Sequence, residues 1–117
     1  MACDERLVER VRVALKGVRN TGERRMFGGV CFTLNGNMTL GVVKDELMVR
    51  VGPDRYDDML KHRHARPMDF TGKPMKGYVF VAARGIKTVS ALKAWARIGV
   101  DYVRTLPRKV PKQKRAH

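Results

Sequence analysis

His62 and His64 stand two residues apart, a spacing that on an extended strand turns both imidazoles to one face, where they could ligate a divalent metal. No cysteine or carboxylate follows at zinc spacing, and the nearest charges are the cations Lys61, Arg63 and Arg66, which oppose a second cation. No metal site is therefore expected. The chain has two thiols, Cys3 and Cys31. A redox pair requires adjacent sulfurs, which the sequence leaves open. Cys31 lies in a strand-like segment and reads as a small buried hydrophobe, and Cys3 sits near a fraying terminus. Asp69 is the lone carboxylate between Lys61 and Lys93. A general acid or base ordinarily comes with a partner. Asp69 reads instead as a turn former that accepts from the backbone N–H groups of Phe70-Thr71-Gly72, or as a partner for Arg66. Gly28-Gly29 precedes a strand rather than a helix, so it is no phosphate cradle. With no Ser-His-Asp or Cys-His arrangement in recognisable context, no catalytic residue, no cofactor and no enzymatic activity are expected.

Charge is the stronger signal. The 117 residues carry 25 Lys and Arg against 11 Asp and Glu, a net charge of +14. Residues 1–60 hold 10 basic and 9 acidic side chains, whereas residues 61–117 hold 15 basic and 2 acidic ones, Asp69 and Asp101. That asymmetry points to an anionic partner, nucleic acid or an acidic protein. Five cations fall in the last eleven residues, so the terminus supplies only part of the excess. The candidate polyanion contacts are Arg24, Arg25, Lys73, Lys76, Arg108, Lys109, Lys112, Lys114 and Arg115. No RRM, KH or helix-turn-helix signature accompanies them, so any nucleic-acid contact would be made to phosphates and would weaken with salt. A membrane partner is not expected, because no segment pairs a basic face with exposed bulky apolar residues. Nor is there an apolar run near the ~18 residues of a span, or a signal-peptide h-region behind Asp4, Glu5 and Arg6. A cytoplasmic, reducing location is expected.

The elements that must position these residues read as follows. Leu7, Val8, Val11, Ala14, Leu15 and Val18 recur at helical spacing and predict a helix over 5–19, stopped by Asn20-Thr21-Gly22. Residues 29–51 predict a three-stranded meander. Setting Phe32 beside Leu40 requires paired positions of even sum, which predicts a three-residue loop Asn35-Gly36-Asn37 unless a bulge intervenes. Setting Val42 beside Val49 requires an odd sum and a two-residue turn Asp45-Glu46. Pro53 opens a short helix with Tyr56, Met59 and Leu60 buried. A short strand at Met68–Phe70 and a clear one at Tyr78–Ala82 follow, the latter broken by Gly85. Thr88 caps a helix over 89–105 that buries Leu92, Trp95, Ala96 and Gly99, pairs Asp101 with Arg97 and Arg104, and ends at Pro107.

The expected fold class is therefore α+β, a two-layer domain over residues 1–106. Its antiparallel sheet of about five strands, in the order α-β-β-β-α-β-β-α, has helices packed on one face. A basic tail over 107–117 should be disordered when free. One sheet face (Phe32, Leu34, Leu40, Val42, Val49, Val51) must meet the helices. The other (Cys31, Thr33, Thr39, Gly41, Val43, Met48, Arg50) is mixed and is expected to be wet, with a dimer or partner surface as the alternative.

Three blocks carry a family likeness: Arg24-Arg25-Met26-Phe27-Gly28-Gly29-Val30-Cys31-Phe32, Leu47-Met48-Val49-Arg50-Val51-Gly52-Pro53, and Arg66-Pro67-Met68-Asp69-Phe70-Thr71-Gly72-Lys73-Pro74-Met75-Lys76-Gly77-Tyr78. With the ending from Trp95 to Leu106-Pro107, they resemble the TfoX/Sxy N-terminal domain family over about residues 5–107. The resemblance implies a fold similar to type III secretion chaperones and a role in transcription-related regulation, since the competence regulator of that family works in transcription of DNA-uptake genes. It brings no catalytic residue. The short basic ending leads us to expect a stand-alone N-terminal domain. The resulting expectation is a non-enzymatic regulatory binding module acting through protein or nucleic-acid contacts, with transcription machinery as a candidate partner. The alternatives are a dimeric protein-binding adaptor and an undetected enzyme using Asp69 or His62 and His64.

Overall fold

The computed structural model describes residues 3–26, 28–68 and 75–108. Helix α1 (Glu5–Ala14) is followed by strands β1 (Thr21–Met26), β2 (Gly29–Leu34), β3 (Asn37–Val43) and β4 (Glu46–Arg50). Helix α2 (Tyr56–Leu60), strands β5 (Ala65–Pro67) and β6 (Tyr78–Val81), a 3-10 turn (Ala83–Ile86) and helix α3 (Val89–Arg104) complete the order. The six strands form one antiparallel sheet in the order β1-β2-β3-β4-β6-β5. The α+β class and the single-sided helix layer stand as expected. The sixth strand, β1, was not foreseen, because Thr-Gly-Glu-Arg-Arg-Met shows no apolar alternation.

The core lies between the sheet and the helices. Leu7, Val8 and Val11 of α1 and Leu92, Trp95, Ala96, Val100 and Val103 of α3 pack on Val30, Phe32, Leu40, Val42, Leu47, Val49, Val79 and Val81. Gly99 lets α3 close on β3: a Cβ there would stand 3.1 Å from both the Leu40 Cδ2 and the Thr39 carbonyl oxygen. Asp4 caps α1, its Oδ1 accepting from Arg6 N (2.9 Å) and Leu7 N (3.3 Å). Thr88 caps α3, its Oγ1 accepting from Ala91 N at 3.0 Å, as expected. Arg10 ties the two helices together by donating from Nη2 to the carbonyls of Ile86 (2.6 Å), Lys87 (3.3 Å) and Thr88 (3.4 Å). No helix among the described residues is long and apolar enough to cross a membrane.

Several boundaries differ from expectation. The first helix stops at Ala14 rather than residue 19, and Gly17 at φ +91° turns the chain away. Phe32 does oppose Leu40, but the β2–β3 connection is a two-residue turn, Asn35-Gly36, with φ of +55° and +82°. A bulge restores the parity: Phe32 pairs with Leu40 and Thr33 with Met38, so Thr39 is left over. The bulge swings Thr39 to the α3 side, where it is buried and donates from Oγ1 to the Asn37 carbonyl at 3.0 Å, rather than to the open face. The next turn has the expected odd parity but is centred on Lys44-Asp45, so that Val42 opposes Leu47 and Leu40 opposes Val49. Both registers keep the apolar faces matched, which is why the pattern could not separate them. Pro53 lies three residues ahead of α2 rather than at its first position. The fifth strand ends at Pro67, ahead of Met68, and residues 69–74 lie outside the described residues. Asp101 makes no ion pair with Arg97 or Arg104 among the described residues.

β1 pairs with β2 along its whole length, and exposed ion pairs tie it to α1. Arg12 of α1 clasps Glu23 through Nε (2.7 Å) and Nη2 (2.9 Å) and reaches Glu9 through Nη1 (2.9 Å). Arg25 clasps Glu5 at 3.0 and 3.1 Å. The hydrogen bond from Arg12 holds the Glu23 carboxyl below the usual glutamate range, and that from Arg25 does the same for Glu5. A depressed carboxylate contributes stability that is present above its unfolded value, about pH 4.3, and is lost as pH falls through the lowered folded value. The unfolding free energy should therefore drop below about pH 4.3 in the natural protein, and that drop should be smaller in Glu23→Gln. Identical acid profiles in denaturant titrations would refute the role given to this pair. Separately, Gly99→Val should cost roughly 1–3 kcal/mol in the same assay by overpacking the α3–β3 contact.

Candidate functional site

Directly opposed residues of antiparallel strands share a face. The register therefore places Arg24, Cys31, Gly41, Met48, Phe80 and Arg66 in one row across all six strands, on the face away from α1 and α3. This face is not wet. Met48, Phe80 and Met68 are buried in a second apolar cluster, with Met38, Val43 and Tyr78 packed around it. The chain beyond β5 folds back here, where Met75 N donates to the Met68 carbonyl at 2.8 Å.

Beside that cluster lies an open depression of about 190 Å³, lined almost wholly by apolar groups. Its walls include Met26, Met38, Met48, Met68 and Met75, five of the seven methionines in the chain. Cys31, Val43 and the bare backbone of Gly29 and Gly41 complete the floor. The depression exists partly because Gly41 has no side chain: a Cβ there would meet Met48 Cε at 3.2 Å. Among the described residues no histidine or carboxylate lines it.

The polar groups at this face have definite partners. The Arg66 guanidinium lies 4.8 Å from the Phe80 ring centroid and pairs with Glu46. Arg50 donates from Nη1 to the Met38 carbonyl at 3.3 Å and sits over Tyr78 (5.3 Å) and Tyr102 (5.7 Å). Burial pushes the Cys31 thiol up, and the positive charge of Arg24 on the neighbouring strand pulls it partly back.

Of the candidate polyanion residues, the four among the described residues, Arg24, Arg25, Lys76 and Arg108, do not share one patch. Arg24 is exposed on the open face beside Cys31. Lys76 is exposed and directly follows the groove residue Met75. Arg25 turns to the opposite face, where Glu5 holds it. Arg108 is exposed beyond the end of α3. Lys73, Lys109, Lys112, Lys114 and Arg115 lie outside the described residues, as does Asp69.

Among the other singled-out residues, His62 packs edge-on to Trp95 with ring centroids 5.1 Å apart. No group of three or more His, Cys, Asp or Glu side chains gathers at ligand distance among the described residues. Cys3 is not frayed but buried in the main core, whereas Cys31 is buried on the opposite side of the sheet, so the two thiols do not form a pair. Sequence reasoning missed Met26, Met38, Met68 and Met75 as members of one site. The available signal was seven methionines in 117 residues, most of them outside the helical stripes.

A sheet sealed by helices on one side and carrying an apolar, methionine-rich depression on the other defines a two-layer α+β domain with one face open to contact. The family model for the TfoX N-terminal domain matches residues 14–102 of the 117, and the chain belongs to that family. The match is narrower than the expected 5–107; it starts at the last residue of α1 and stops two residues before the end of α3. No curated protein matches the chain.

Because the thiolate is the reactive species and both thiols are buried, labelling of the native protein by an aromatic disulfide at pH 8 should be at least about tenfold slower than of the unfolded chain. Arg24→Ala should slow Cys31 further. Rapid native labelling of Cys31 would contradict the burial and the raised pKa.

Proposed function

We propose that this TfoX-family domain is a non-enzymatic, cytoplasmic regulatory module that holds a segment of a partner protein in the methionine-lined groove of its open sheet face. The observation that carries this reading is the ring of Met26, Met38, Met48, Met68 and Met75 around an open depression. Contiguous apolar surface outside a core marks contact sites. Unbranched, polarizable thioethers adapt to apolar side chains of differing shape. The rim favours a particular occupant. Arg24 stands beside Cys31 and Lys76 beside Met75, both exposed and in no ion pair among the described residues. The fitting segment therefore presents one or two bulky apolar side chains flanked by Asp or Glu. The family likeness supports a setting in transcription-related regulation.

Selection from a random displayed peptide library tests this. Enriched peptides should share an apolar residue with acidic flanks, should shift the methyl resonances of the groove methionines, and should lose at least about tenfold in affinity, roughly 1.4 kcal/mol, against Gly41→Val. Peptides that bind the variant and the natural protein equally would overturn the reading. So would self-association through this face in sedimentation, or failure to enrich any sequence.

A further inference from the structure

The groove uses few of the excess cations, and the later half of the chain leaves a line of them on α3. At 100° per residue, Lys93, Arg97 and Arg104 fall within about 40° of arc, and at 1.5 Å per residue Lys93 and Arg104 stand roughly 16 Å apart along the axis. Arg108 is exposed beyond the helix end. All four side chains belong to exposed residues, and none makes an ion pair or a side-chain hydrogen bond among the described residues. Four cations elsewhere are engaged among the described residues: Arg12 on Glu9 and Glu23, Arg25 on Glu5, Lys61 on Asp58, and Arg66 on Glu46. Two carboxylates lie near the line. Asp101 sits beside it on α3, and Glu9 lines the same cleft between α1 and α3 as Lys93 but is engaged by Arg12. Past Arg108 the sequence adds Lys109, Lys112, Lys114 and Arg115 and no acid.

We propose that the solvent face of α3 is a contact surface for the phosphate backbone of duplex nucleic acid. Two features favour a nucleic acid over an acidic protein. From Ser90 onward the exposed positions of α3 (Ser90, Lys93, Ala94, Arg97, Asp101, Arg104) include no bulky apolar side chain, and a protein interface needs an apolar centre. A duplex presents a charge about every 3.4 Å along each strand. A straight row of cations therefore meets phosphates in any register, whereas an acidic protein would need carboxylates at matched positions. A row of exposed, flexible cationic side chains reaches phosphates first, so binding is set mainly by charge and little by sequence. This site is separate from the methionine groove and does not depend on the reading given to it.

The test is anisotropy of a labelled mixed-sequence DNA duplex titrated with the full chain at 50, 100 and 200 mM KCl. The logarithm of affinity should fall linearly with the logarithm of salt, by about 0.9 per phosphate contacted. The double variant Arg97→Gln, Arg104→Gln should bind at least about tenfold more weakly at 100 mM and reduce the salt slope by roughly 2. Both positions are exposed, and an unchanged melting temperature verifies the fold. Arg24→Gln with Lys76→Gln, off the helix, should leave binding within about twofold, as should Gly41→Val. Three results would overturn the proposal: no binding at 50 mM salt, equal losses from the off-helix pair, or loss only when Lys109, Lys112, Lys114 and Arg115 are changed to Gln in the full chain. A tighter grip on vesicles of anionic phospholipid than on the duplex would also overturn it.

Discussion

A sheet has two faces, and in this domain α1 and α3 cover one of them. That one-sided burial is the constraint from which the rest of the structure follows. Leu40, Val42, Leu47, Val49, Val79 and Val81 are fully buried against the helices, with Phe32 nearly so. Each such side chain contributes on the order of 1.5–3 kcal/mol when withdrawn from water. No alternative register that turned these residues outward could compensate. The Thr39 bulge is the clearest consequence. The Asn-Gly turn and the alternation of β2 and β3 demand different parities, and the chain satisfies both by leaving one residue unpaired and giving it to α3.

The opposite face has to be managed without helices. The chain does this with the return from β5, which brings Met68 and Met75 over the sheet, and with Arg66, whose guanidinium lies over Phe80. Methionine suits a half-covered surface, since it buries area without the fixed shape of a branched or aromatic residue. The edges are handled differently. β5 is short and ends in Pro67, which cannot donate to a further strand. β1 carries Glu23, Arg24 and Arg25, which discourage pairing with another chain through charge.

Charge is distributed by the same economy. Most of the acids belong to residues 1–60, and the cations that find partners find them there, even when, like Arg66, they come from later in the chain. The later half has only Asp69 and Asp101 to offer. Among the described residues only Lys61 and Arg66 of that half find an ion-pair partner, and the amphipathic character of α3 lines several of the others up on its outer side. The methionine groove and the cationic helix face thus lie on opposite layers of the domain, joined by a core that serves neither directly.

Residue order alone made much of this legible. The apolar periods of Leu7 to Val11 and of Leu92 to Val103 marked the two long helices. Alternation marked β2, β3, β4 and β6, and the three blocks from Arg24 to Tyr78 marked the family. These features are local or linear, because periodicity reports which side of an element must be buried whatever it is buried against. Tertiary structure decided what depended on distant partners. Thr21–Met26 became a strand by pairing along its whole length with β2, with exposed ion pairs from Glu5 and Arg12 of α1 added to Arg25 and Glu23. The choice between two equally patterned registers at Lys44-Asp45 fell to packing. Five methionines scattered from position 26 to position 75 became one surface only when the sheet and the returning segment brought them together. A one-dimensional pattern encodes which residues avoid water, but not which of them will meet.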